Sequence, residues 1–169
     1  MDKENETKMY KYSFEQFKRN CTNFDEVVKE LGLTKDTWEK FLYSPTLDYV
    51  FPENNEKFKL VQLEESGPWI PIDDGIADII VDLNKKGYKT RFCCEGHNRS
   101  QSCGGYIFFH ELDEGQMNSL MNIVFGIAVS GKVYVTLETD DDRGPTIRWK
   151  PNSKYETTLK VLKLAFDVL

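Results

Sequence analysis

The sequence predicts an α+β fold: a largely antiparallel four-stranded sheet with helices mainly on one face, preceded by a small helical N-terminal unit. Two observations carry this. Past residue 73 the apolar periodicity changes between helical and strand spacing in the order helix, strand, strand, helix, strand, strand, helix. Both strand pairs are joined by hairpin links rather than by crossover helices, which makes them antiparallel and leaves the helices to gather on one side.

Residues 1–12 are polar, mix acidic and basic side chains and lack an apolar core, so they read as a flexible tail and not as a signal or transit peptide. Ser13 is placed to cap a short helix carrying Phe14 and Phe17. Phe24, Val27, Val28 and Leu31 follow at helical spacing behind Asn23 or Thr22 as cap, and Gly32 closes that helix. Thr34 caps a third helix with Trp38, Phe41 and Leu42 inside. Residues 13–44 therefore form a helical cap, and the stretch 25–42 has the length and turn position of a helix-turn-helix. Its second helix offers Lys35, Asp36, Glu39 and Lys40 but no arginine, a poor surface for reading DNA.

Pro45, Pro52, Gly67, Pro68 and Pro71 make 45–73 a connecting segment, with a single weak strand expected at 57–63 and Trp69 and Ile70 expected to dock on the core or line a pocket, the core being the commoner fate of such a tryptophan. The core domain is 74–169. Asp73 or Asp74 caps a helix bearing Ile76, Ile79, Ile80 and Leu83, and Gly87 ends it. Strands follow at 88–93 and 105–110, then a helix at 114–129 carrying Leu120, Met121, Val124 and Phe125. A last hairpin pairs 132–139 with 146–150 across an acidic Asp140-Asp141-Asp142 tip, and a final helix carries Leu159, Leu162, Ala165 and Phe166.

The chain has 169 residues, 40% of them hydrophobic and 30% charged, which suits one domain plus a small appendage. Its net charge of −6 supplies no fold-wide basic field, so nucleic acid is an unfavoured partner. No apolar run is long enough for a bilayer span, and a cytoplasmic setting with reduced thiols is expected.

The chemistry concentrates in Arg91-Phe92-Cys93-Cys94-Glu95-Gly96-His97-Asn98-Arg99 and the following Cys103 to His110, which hold three of the four cysteines and both histidines. Gly96 permits a turn with φ > 0, so successive N–H groups can converge on an anion, with His97, Asn98 and Arg99 adding donors. Arg91 on the same strand and Arg148 on the second hairpin supplement them if the two hairpins are neighbours. The expected ligand-binding set is thus Arg91, Cys94, Gly96, His97, Asn98, Arg99 and Arg148. Two other chemistries use the same residues. Cys94 activated by His97 would be a nucleophile, with both as catalytic candidates. Cys94, His97, Cys103 and His110 would make a tetrahedral zinc site, although their spacings match no familiar finger pattern, and no cofactor is favoured. Finally, Tyr106, Phe108, Tyr134 and Trp149 offer a stacking platform for a base, of which alternation leaves one or two free.

The run Leu83-Asn84, Gly87-Tyr88, Thr90, Cys94-x-Gly96-His97 and Tyr106-Ile107-x-Phe109 resembles small uncharacterised proteins of phages and prophages of Gram-positive bacteria. It also resembles, over the same forty or so residues, the wybutosine-synthesis tRNA methyltransferase family, with His97 standing where that family has arginine. The first resemblance implies a phage protein countering host defence signalling. The expected function is binding of a small anionic, nucleotide-like ligand at the Cys-x-Gly-His loop. A nucleotide- or RNA-directed enzyme using Cys94 and His97, and a helix-turn-helix regulator, are the alternatives.

Overall fold

The computed structural model describes residues 12–42, 44, 46–47, 56–96, 104–140, 144–151 and 155–169. The tail, apart from Tyr12, lies outside them, as do His97, Asn98, Arg99, Cys103, the hairpin tip at 141–143 and residues 152–154. Within the described residues the order is α1 (Phe14–Asn20), α2 (Phe24–Leu31), α3 (Trp38–Leu42), β1 (Phe58–Gln62), β2 (Trp69–Asp73), α4 (Asp74–Lys85), β3 (Thr90–Cys94), β4 (Gly105–Phe109), α5 (Glu114–Ser130), β5 (Val133–Asp140), β6 (Gly144–Pro151) and α6 (Tyr155–Phe166). Strands β3 to β6 form the antiparallel four-stranded sheet in the order β3-β4-β6-β5. This is the α+β architecture the periodicity predicts, with the two hairpins side by side through β4 and β6.

Local chemistry sets the helix ends. Ser13 and Gln16 form a capping box ahead of α1, and Asp113 and Gln116 form another ahead of α5, each answering two backbone donors at a helix start. Gly32 and Gly131 end α2 and α5 in the left-handed region, at φ 61° and 66°. Asn23 precedes α2 but does not cap it. Its side chain accepts from Leu60 N–H at 3.0 Å and donates to Leu60 C=O at 2.9 Å, completing the backbone bonding of β1 like a neighbouring strand.

The connecting segment holds more order than its prolines suggest. β1 and β2 pair as an antiparallel hairpin, with Pro71 opposite Leu60. The missing proline donor is tolerated because a two-stranded sheet consists only of edge strands. Phe58, Leu60 and Trp69 from this hairpin join Phe17, Val27, Leu33, Trp38 and Phe41 in one buried cluster. Tyr12, expected in the flexible tail, belongs to it too: its hydroxyl accepts from Asn20 Nδ2 and its carbonyl from Trp38 Nε1, each at 2.8 Å. The indole of Trp38 stacks on Phe17 at 4.4 Å. With only five residues, α3 is about 7.5 Å long, and its Trp38 and Phe41 face this cluster, so it has the character of a packing helix more than of a recognition helix.

The second cluster fills the space between the sheet and α4, α5 and α6. Ile76, Ile80 and Leu83 of α4, Leu120 and Ile127 of α5, and Leu162 and Phe166 of α6 meet Ile107, Phe109, Ile147 and Trp149 of the sheet. Each such burial contributes about 1.5–3 kcal/mol, which fixes register, because a one-residue slip would turn Ile107 and Phe109 to the opposite face. No helix among the described residues is long and apolar enough to cross a membrane.

Candidate functional site

Where β3 ends, three chain segments meet. The N–H of Glu95 donates to Asp73 Oδ2 at 3.0 Å, and the Glu95 carboxylate accepts from Gly75 N–H at 2.7 Å, in the first turn of α4. Asp73 occupies the N-cap position of that helix, yet its side chain is turned to Glu95, and the Glu95 carboxylate joins Asp74 in setting negative charge at the helix start. Gly75 makes this possible. A Cβ there would lie 2.5 Å from Glu95 Oε2 and 2.6 Å from Leu159 Cδ1. The Tyr155 hydroxyl, at the start of α6, is buried beside Glu95, and burial, the Glu95 carboxylate as its hydrogen-bonding neighbour and the Asp73 charge push its pKa up.

Cys94 shares these surroundings. Burial pushes its thiol up to about 11; the Gly96 N–H favours the thiolate but is outweighed, and the Asp73 and Glu95 carboxylates add to the rise. At neutral pH Cys94 is therefore a protonated thiol, the opposite of what a resting nucleophile needs. Gly96 has φ 80°, the turn conformation its sequence position predicts. The stem of the Cys-x-Gly-His loop is thus acidic, and the amide donor at the head of α4 is occupied by the protein's own carboxylate.

The sheet face turned away from the helices sets an arginine among aromatic rings. Cys94 pairs with Tyr106, Tyr106 with Arg148 and Arg148 with Thr136, a row across all four strands. The next row runs from Phe92 through Phe108 and Thr146 to Glu138. Side chains paired in this way point to the same face, so Tyr106, Phe108, Phe92 and Arg148 share one surface. The Arg148 guanidinium carbon lies 5.3 Å from the Phe108 ring centroid and 5.5 Å from that of Tyr106. The two rings meet edge to face at 5.3 Å, and Phe92 stands at 6.3 Å on the other side of Phe108. Arg91 lies 5.5 Å over Phe92, beside an irregularity in the β3–β4 pairing. Glu138 Oε2 accepts from Arg148 Nε at 2.9 Å and fixes its direction.

Of the four aromatics predicted as a platform, Tyr106, Phe108 and Tyr134 are on this face, one more than alternation was expected to allow, whereas Trp149 is buried in the core opposite Gly105. Phe92, 47% exposed, is the member sequence reasoning missed. Its parity with Cys94 along β3 was the available signal. Cys94, Gly96 and Arg148 fall at or beside one end of the sheet, with Cys94 and Arg148 two strands, or about 10 Å, apart, whereas Arg91 lies three residues back along β3, about 10 Å from Cys94 towards its other end. His97, Asn98 and Arg99 lie outside the described residues.

The four-ligand zinc set does not hold together. His110 N–H donates to Lys89 C=O beyond the far end of β4, four residues along that strand from Tyr106, the partner of Cys94. That separation is about 13 Å, several times a zinc–ligand bond. His110 instead lines a cleft of about 500 Å³ with Glu64, Lys89 and Thr90. Among the described residues no three His, Cys, Asp or Glu side chains are grouped to hold a metal ion.

No protein-family model, curated protein or solved structure matches this chain. The functional reading rests on its own geometry.

Proposed function

We propose that this protein binds a small nucleotide-like ligand, its base stacked on the open sheet face over Phe92, Tyr106 and Phe108. Its phosphate is met by Arg148 and by the loop that follows Cys94 and Gly96, to which the sequence contributes His97, Asn98 and Arg99 as donors, while Arg91 stands over Phe92 beside the base. The observation that carries this reading is the guanidinium of Arg148 between the Tyr106 and Phe108 rings, because it joins a π surface to a fixed positive charge on a half-open sheet. The net charge of −6 favours a free nucleotide over a nucleic-acid strand, whose many phosphates would meet general repulsion. The enzyme reading would need a thiolate at Cys94, and the raised thiol pKa weighs against it. Given the resemblance to phage proteins, sequestration of a host nucleotide signal is the role we attach to such binding.

Isothermal titration with purine and pyrimidine mononucleotides tests this, with ribose 5-phosphate as the probe lacking a base. Binding of a nucleotide but not of the sugar phosphate, lost in both Arg148→Ala and Phe108→Leu, is the expected result. Equal binding by wild type and both variants would place the ligand elsewhere.

A further inference from the structure

Helix α5 has an unusual sequence for a surface helix: from Gly115 to Ser130 it carries no charged residue. Leu120, Ile123 and Ile127 account for its buried face. Its outer face is apolar as well. Phe125 and Val129 on α5, with Leu164 on α6 and Val168 just beyond it, each keep 69% to 78% of their surface exposed, and Met121 extends the patch. Between the two helices runs a groove of about 500 Å³ lined by Gly126, Ile127, Val161, Ala165 and Val168. Monomeric proteins seldom leave a contiguous surface of this kind in water.

We infer that this α5–α6 face is a homodimer interface, in which α5 of one chain packs against α5 of a second copy across a two-fold axis near Gly126. Charge selects the second copy as the occupant. A symmetric contact sets a patch against itself, and on a chain of net charge −6 the uncharged stripe of α5 is a surface that meets its own copy without repulsion. A membrane surface is a poorer match, since helices that lie on membranes carry a row of lysine and arginine along their polar face, α5 carries none, and only Lys132 stands at the groove. Size agrees as well. Seventeen residues make α5 about 25 Å long and two packed helices are roughly 20 Å across, so each copy offers about 500 Å² and the pair about 1,000 Å², where specific interfaces begin. At Gly126 a Cβ would meet nothing within 4 Å among the described residues, so none of them packs on the glycine, and its bare backbone lets another helix approach closely.

Sedimentation equilibrium from low micromolar to several hundred micromolar protein tests the interface. Wild type should pass from 19.7 kDa to twice that mass. Phe125→Glu should remain at the lower mass throughout, as should Leu164→Glu, with circular dichroism and melting temperature close to those of the wild-type monomer because neither side chain is packed within the chain. Mixing Phe125→Glu with Phe125→Lys should restore a dimer that neither forms alone. Wild type that stays monomeric at the highest concentration overturns the inference, whether or not it then binds lipid vesicles or another protein. So does a dimer that survives both glutamate substitutions.

Discussion

Glu95 and Gly75 are joined by a 2.7 Å hydrogen bond from the backbone of α4 to a carboxylate at the end of β3. That bond fastens the stem of the Cys-x-Gly-His loop to a helix that is itself anchored in the core through Ile76 and Ile80. Gly75→Ala should therefore be costly despite alanine's better helix propensity. Its Cβ displaces both Glu95 and Leu159, and a bond to a charged acceptor of this kind is worth about 1.5–3 kcal/mol. Urea denaturation should show a loss of roughly 2 kcal/mol.

The same substitution at Gly126 should act in the opposite direction. Nothing lies within 4 Å of a Cβ there, so Gly126→Ala gains helix propensity of up to about 1 kcal/mol without a clash in the monomer. Measured at a concentration where the protein is monomeric, its unfolding midpoint should rise. A fall would mean that the helix is packed at that point.

Arg148 is shared between the rings it covers and Glu138. An exposed pair of this type contributes only about 0–1 kcal/mol, so Glu138→Gln should leave stability nearly unchanged. It also releases the guanidinium toward a phosphate. Nucleotide affinity should rise up to about fivefold, with a steeper dependence on salt, whereas Phe108→Leu should cost about 1–3 kcal/mol of stacking. Titrations at two ionic strengths read both effects.

Much of the fold was legible because local signals and burial agree. The Ser13 cap of α1, Gly32 in the left-handed region, and the alternation in β5 and β6 each mark an element without reference to the rest of the chain. Strand β2 was hidden because Pro71 reads as a breaker, and only its pairing with Leu60 in a hairpin made of edge strands makes it tolerable. Which of the four candidate aromatics is core was left open for a different reason. Aromatic content suggests a platform, but the parity of Trp149 with Ile147 determines the face, and that face is the core. Asp73, Glu95 and Tyr155 meet only through tertiary contacts between segments far apart in sequence, and no spacing rule reveals such a meeting.

Alkaline pH should weaken the protein through its thiols. Burial pushes Cys21 up to about 11 and Cys93 up to about 12, from an ordinary value of 9.0. A folded-state pKa above the unfolded value means that the stabilisation is complete below about pH 9 and is lost as pH rises through the folded value. For Cys21, which is 5% exposed, the loss at about pH 10 should be roughly 1 kcal/mol. Cys21→Ala should flatten that part of the stability profile, and thiolate absorbance should show the delayed titration directly.

The N-terminal cluster depends on Asn23 in a way that can be isolated. Its amide both accepts from and donates to Leu60, so Asn23→Ala leaves two backbone groups of β1 without partners at a partly buried site. A cost of about 2–3 kcal/mol is expected, because a stranded polar group loses its full solvation and not merely one net bond. Asn23→Asp keeps the acceptor for Leu60 N–H but sets a carboxylate against Leu60 C=O, so it should also destabilise the protein. Trp38 and Trp69 belong to this cluster and Trp149 to the other. In a Trp149→Phe background, tryptophan fluorescence therefore reports the N-terminal cluster alone, and Asn23→Ala should shift that transition to lower denaturant. Were the transition unmoved, the two bonds would be bystanders and the attachment of α2 to β1 would rest on the packing of Val27 against Phe58 and on the Thr22 N–H bond to Phe58 C=O.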